Sequence, residues 1–124
     1  MKNILVVEDD LLSQKTMRML LRKEFNVDVC GSADDFYGNF SSKKYDLVIM
    51  DIGLPGKKDG LQLTTELKQM ENYKDTPILC LTAYARSIDK IRAKEAGVDE
   101  YLAKPVYNEV LLSTINMLIS SRED

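Results

Sequence analysis

The chain has 124 residues, 44% hydrophobic and 30% charged, which excludes a disordered or membrane-embedded class. With 17 basic and 20 acidic residues the net charge is −3, and no stretch clusters Lys or Arg with aromatics, so nucleic acid is excluded as a direct ligand. No apolar run approaches the roughly 20 residues that span a bilayer, and MKNILVVEDD turns acidic too soon for a secretory signal; a cytoplasmic protein is expected.

Apolar periodicity alternates along the chain. Residues 4–7 form a branched apolar run too short for a helix, and predict a buried strand. Leu12, Thr16, Met17, Leu20 and Leu21 then recur at helical spacing, with Lys15, Arg18, Arg22 and Lys23 around the other sides. Residues 27–30 read as a second strand. Phe36 and Phe40 suggest a short helix weakened by Gly38 and Asn39. Residues 47–50 make a third strand. Leu63, Leu67 and Met70 mark a helix entered through Asp59, a natural N-cap, and Gly60.

Residues 78–81, behind Pro77, predict a fourth strand. Ser87 is placed to cap a helix that ends at Gly97, with a thin apolar face of Ile88, Ile91 and alanines. Residues 101–103 give a fifth strand, and Leu111, Ile115, Leu118 and Ile119 define a last helix beginning near Val106 and fraying at the tail SSRED. Strands apolar on both faces, alternating with helices, imply one α/β domain with a parallel sheet covered on each side. Cys30 and Cys80 sit in strand-like surroundings and read as buried thiols of a reducing compartment.

In an open parallel sheet, ligands bind outside the carboxyl ends of the strands. Those ends carry Glu8-Asp9-Asp10, Asp51, Thr82-Ala83 and Lys104-Pro105. Each has an ordinary explanation. Asp9 or Asp10 can cap a helix, Asp51 can bond its own loop, Thr82 can be a strand-end hydroxyl and Lys104 a surface lysine. Their convergence on one rim favours a site. Clustered carboxylates repel unless a cation intervenes. An all-oxygen set with no histidine in the chain suits Mg²⁺. Carboxylates, Mg²⁺ and a lysine together suit a transferring phosphoryl group, with Asp51 as nucleophile.

With these residues assembled, the chain resembles a response-regulator receiver domain, the phosphoacceptor module of two-component signalling. ILVVEDD, DLVIMDIGLP, LTAYA and YLAKP occur in that order, and the similarity runs from Lys2 to about Ile119. It implies a single domain over 1–124, with a doubly wound (βα)5, flavodoxin-like fold and strand order 2-1-3-4-5. It further implies metal ligation by Glu8, Asp9, Asp51 and the Gly53 carbonyl, phosphorylation of Asp51, and phosphate binding by Thr82, Ala83 and Lys104. Lys104-Pro105 is expected cis, and Tyr101 is expected to move inward with Thr82. The donor would be a sensor histidine kinase or histidine phosphotransfer protein, or a small acyl phosphate, since this chain has no histidine. The reset would be hydrolysis. A downstream protein would read a surface made of the 88–96 helix, Tyr101 and the last helix, where Tyr107, Asn108 and Leu112 are candidate contacts.

Two features depart from the family pattern. The run from Pro55 to Gly60 is one residue longer, and Gly53 supplies no side chain beside the phosphate. The last helix lacks the arginines of receivers fused to winged-helix domains, so the chain looks closer to stand-alone or hybrid-kinase receivers. Other readings fit less well. An aspartate-nucleophile phosphatase of the haloacid-dehalogenase type needs a second acid where Gly53 stands. A flavodoxin-like cofactor binder needs a phosphate-cradling loop where EDDLLSQ offers acids. A receiver acting only as a phosphorylation-independent docking module would not need the set Asp9, Asp51, Thr82 and Lys104.

Overall fold

The structure is a computed structural model and describes residues 1–122. Five strands and five helices alternate: β1 (Lys2–Val7), α1 (Leu11–Leu21), β2 (Phe25–Cys30), α2 (Ala33–Asn39), β3 (Leu47–Met50), α3 (Gly60–Leu67), β4 (Ile78–Thr82), α4 (Ser87–Ala96), β5 (Glu100–Ala103) and α5 (Asn108–Ser121). The sheet is parallel throughout, in the order β2-β1-β3-β4-β5. This is the doubly wound arrangement that the resemblance implies.

The period-two alternation of a strand sorts the core into two layers. Ile4, Val6, Leu47, Ile49, Leu79 and Leu81 face Met17 and Leu21 of α1 and Leu111, Ile115, Leu118 and Ile119 of α5. Leu5, Val7, Val48, Met50 and Ile78 face the opposite way, onto Phe36 of α2, Leu63 and Leu67 of α3, and Tyr73. A third, smaller cluster joins Ile52, Leu61, Cys80 and Ala93 under α4.

Several elements differ from the sequence expectation. β2 begins at Phe25 because its ladder with β1 pairs Lys2 with Phe25 and recruits the polar Asn26, which an edge strand can leave in solvent. α2 forms despite Gly38: Ser32 caps it, accepting from the Asp35 N–H at 3.0 Å, while Asp34 and Asp35 suit its first turn. α1 buries Met17 and Leu21 but leaves Leu12 73% exposed.

On α4 the difference is larger. Ile88 and Ile91 face solvent at 52% and 54% exposure, while Asp89 and Ala93 are buried. Arg86, not Ser87, is its N-cap, and the Asp89 carboxylate accepts from the Arg86 N–H and guanidinium. α5 starts at Asn108, two residues after the expected Val106, behind a cis Lys104-Pro105 bond. It then continues through Ser121, so the tail expected to fray at Ser120 is helical that far; Glu123 and Asp124 lie outside the described residues.

Candidate functional site

Sheet register brings the site together. Val7 pairs with Met50 and Met50 with Cys80, so Glu8 and Asp51 leave adjacent strands side by side. The Asp51 N–H donates to the Val7 carbonyl at 3.0 Å, which fixes that edge. Thr82 pairs with Ala103, and the Lys104 N–H donates to the Thr82 carbonyl at 2.9 Å. Four consecutive central and flanking strands therefore present their carboxyl ends at one rim.

The side chains meet there. Asp51 Oδ1 accepts from the Thr82 hydroxyl at 2.7 Å and from the Gly53 N–H at 3.2 Å. Its Oδ2 lies 3.6 Å from Lys104 Nζ. Lys104 Nζ also donates to Glu8 Oε1 at 2.5 Å, and Glu8 Oε2 accepts from the Asp10 N–H at 3.2 Å. Glu8 is buried, Asp9 exposed and Asp51 half-buried. One carboxylate oxygen from each of these three acids falls within 4.8 Å of the others.

Electrostatics reflects this crowding. Burial pushes the Glu8 carboxyl above its ordinary range, and the Lys104 bond only partly opposes it. Burial alone would depress Lys104, but its bond to Glu8 and the charges of Asp51 and Glu8 together raise it, so the ammonium stays charged. Three carboxylates and a single ammonium leave negative charge in excess. The donor set is all oxygen, and Gly53, whose carbonyl is the fourth expected ligand, opens the loop immediately after Asp51. Such a set fits a hard divalent cation, Mg²⁺ or Ca²⁺, better than zinc or copper.

Asp10 has the ordinary role that the sequence allowed: it caps α1, accepting from the Ser13 N–H at 2.8 Å, and this bond holds its carboxyl below the usual range. Ala83 is exposed beside Thr82, and the Tyr84 N–H donates to the Thr82 hydroxyl oxygen at 3.2 Å. Tyr101 is half-buried, and its hydroxyl donates to the Tyr84 carbonyl.

Three features of the site escaped sequence reasoning. The Gln14 side chain donates to the Glu8 carbonyl at 2.5 Å, tying α1 to the acidic turn. The Tyr84 ring lies over Gly53, where an added Cβ would stand 2.7 Å from Cε2. Gly60 packs against the backbone of Asp51 itself. A glycine in the first turn of a helix is a faint signal of such an approach, because it costs about 1 kcal/mol against alanine and needs a reason to persist. Between α1 and α5 a cavity of about 450 Å³ runs up to this rim, its walls including Leu12, Leu20, Val106 and Leu111, with Glu8, Asp51 and Lys104 at its polar end.

A parallel α/β domain with acids, a hydroxyl and an ammonium gathered at its strand ends has the form of a phosphoacceptor signalling module. The response regulator receiver domain model matches residues 4–116, and the chain belongs to that family, the receiver domains of two-component signalling. It is 37% identical over 117 residues to the regulatory protein VanRB of Enterococcus faecalis, covering 94% of this chain and 51% of that protein. It is 34% identical to the hybrid signal transduction histidine kinase I of Dictyostelium discoideum, covering 95% of this chain and 7% of that protein. The chain thus spans about half the length of the first relative and a small part of the second. Among solved structures, the receiver domain of the sensor histidine kinase PA1611 of Pseudomonas aeruginosa, which has magnesium coordinated in its active-site cleft, superposes with a TM-score of 0.87 at 31% identity, over 96% of this chain and 98% of that one. A CheY-like receiver of Methanospirillum hungatei shares the fold, with a TM-score of 0.91 at 24% identity over 99% of this chain and 97% of that one.

Proposed function

We propose that Asp51 is the phosphoacceptor, taking a phosphoryl group from a phosphohistidine of a sensor histidine kinase or histidine phosphotransfer protein. A carboxylate oxygen of Asp51 attacks phosphorus as the P–N bond breaks, and the imidazole leaves with the bond's electron pair. Water later cleaves the acyl phosphate, releasing inorganic phosphate and restoring Asp51. These 124 residues hold no histidine, so the donor group lies outside them.

Glu8, Asp9, Asp51 and the Gly53 carbonyl would hold Mg²⁺. When bound there, such an ion would supply positive charge to offset that of the phosphoryl oxygens. Lys104, held between Glu8 and Asp51, swings its ammonium onto the phosphoryl group once Asp51 is phosphorylated. Thr82 donates its hydroxyl and Ala83 its N–H. The observation that carries this reading is the Asp51 carboxylate itself, bonded to Thr82 at 2.7 Å, 3.6 Å from Lys104 and within reach of two further acids. Magnesium in the PA1611 receiver supports the choice of ion.

The output is a population shift between two states. Phosphate draws Thr82 away from its present partner and Tyr101 away from the Tyr84 carbonyl, and a downstream protein reads α4, Tyr101 and α5. α4 suits the part: among its described residues only Asp89 and Ala93 are buried. Residues 1–124 act as one receiver domain with its core over 2–119, working in the cytoplasm through protein partners and without direct contact to nucleic acid. No described helix is long and apolar enough to cross a membrane.

Incubation with acetyl phosphate and Mg²⁺ tests this. The intact chain should gain about 80 Da, one phosphoryl group in place of a proton, and Asp51→Asn should not. Labelling that survives the substitution moves the nucleophile elsewhere, and rapid steady turnover of a phosphomonoester would favour the phosphatase chemistry instead.

A further inference from the structure

The loop between Asp51 and Gly60 carries the Gly53 carbonyl, and it is held unevenly. Its two ends are fixed: the Gly53 N–H donates to Asp51 Oδ1 at 3.2 Å, and the Leu54 and Gly60 N–H groups both donate to the Ile52 carbonyl at 2.9 Å. Its middle stands out in solvent. Pro55, Gly56 and Lys57 are exposed, and Gly56 takes a φ of +91° that favours glycine.

One side chain draws that middle back. Lys58 Nζ lies 2.9 Å from Glu66 Oε1 and 2.8 Å from Oε2, spanning both carboxylate oxygens on α3. The Tyr37 hydroxyl of α2 donates to the same Oε1, and Lys58 Nζ sits 5.4 Å from the centre of the Tyr37 ring. Loop, α2 and α3 therefore meet at one carboxylate. Lys58 first, and then Tyr37, hold the Glu66 carboxyl below its usual range, so this carboxylate is ionised at neutral pH.

We propose that Lys58 is a positioning residue for the cation: clamped by Glu66 and Tyr37, it restrains the loop that carries the Gly53 carbonyl beside Asp51. The clamp rests on the metal-binding reading of Glu8, Asp9 and Asp51. Its need is local. The loop holds one residue more than the family pattern it resembles, and that extra length falls in its exposed middle. A longer loop samples more conformations, and a tether in its middle removes many of them before the ion arrives.

The test separates a clamp from a simple charge effect, using Mg²⁺ binding by calorimetry and the amide NMR shifts of Gly53 and Asp51 as readouts. Lys58→Met removes a positive charge and Glu66→Gln a negative one. Charge alone predicts opposite changes, with tighter Mg²⁺ in the first and weaker in the second. The clamp predicts that both weaken it in the same direction, by roughly 3- to 10-fold, below the 10- to 100-fold typical of a direct partner of a ligand. Lys58→Arg should restore binding, Tyr37→Phe should give a smaller loss, and the double variant Lys58→Met with Glu66→Gln should be no weaker than the worse single one. Opposite signs, or unchanged affinity in Lys58→Met, overturn the clamp while leaving the acidic site intact. Wild-type protein that takes up no Mg²⁺ overturns the reading of the acids and the clamp with it.

Discussion

Gly60 touches Asp51 through backbone, not side chain: a Cβ added at Gly60 would stand 1.8 Å from the Asp51 carbonyl oxygen and 2.7 Å from its carbonyl carbon. The first residue of α3 is thus pressed against the peptide that carries the acidic side chain. Neither partner is a flexible side-chain tip, so nothing yields cheaply. Gly60→Ala should cost about 2–3 kcal/mol in urea unfolding, the upper part of the range for overpacking. It should also shift the Asp51 amide resonance. A variant of wild-type stability would mean that the contact is looser than the structure shows.

Gly53 makes the opposite case. The three atoms nearest its added Cβ all belong to the far end of the Tyr84 ring, and Tyr84 is 48% exposed, so a side chain and not backbone must yield. Gly53→Ala should therefore cost less than about 1 kcal/mol, and on a Tyr84→Ala background it should cost no more. A loss as large as that of Gly60→Ala would show that the ring is fixed in place.

At the other end of the sheet Asp99 joins three elements. Its Oδ2 accepts from the Ile78 N–H at 2.8 Å and from Lys68 Nζ at 2.9 Å, and Oδ1 accepts from Arg122 at 3.3 Å. Asp99→Ala leaves the part-buried Ile78 N–H without its acceptor and should cost about 2–3 kcal/mol. Asp99→Asn keeps an acceptor for Ile78 and should recover roughly half of that. Equal losses in the two variants would assign the effect to charge.

Alkaline pH should destabilise the fold through its thiols. Burial pushes Cys30 and Cys80 from an ordinary 9.0 to about 12. Between these values the unfolded chain releases thiol protons that the native chain retains, so stability is full below pH 9 and falls as pH rises toward 12. Tyr73, raised by burial from 10.0 to about 12, adds to the loss above pH 10. Urea midpoints measured from pH 8 to 10.5 should decline, and the decline should be shallower in Cys80→Ala. At pH 8 neither thiol should react with a disulfide reagent until the protein is unfolded.

The site was legible in the sequence because parallel strands make it so. Apolar runs that end in Glu8, Asp51, Thr82 and Lys104 place those residues at strand ends, and sheet register then brings the ends together. Helix faces were less legible. Leu12 matches α1 periodicity yet faces solvent, and α4 turns Ile88 and Ile91 outward while burying Asp89, because the surface under α4 is small and Arg86 satisfies the buried acid. Contacts such as Tyr84 on Gly53, or Lys58 reaching Glu66, depend on how loops fold back, and no periodicity encodes that.

The most direct measurement traps the acceptor chemically. Protein treated with acetyl phosphate and Mg²⁺, then reduced with borohydride, converts an aspartyl phosphate to homoserine, which peptide mass mapping locates. Homoserine at position 51, absent without Mg²⁺, is the expected result. Homoserine at Asp9 or Asp10 with Asp51 intact, or phosphate on a hydroxyl side chain that borohydride does not reduce, would contradict the account.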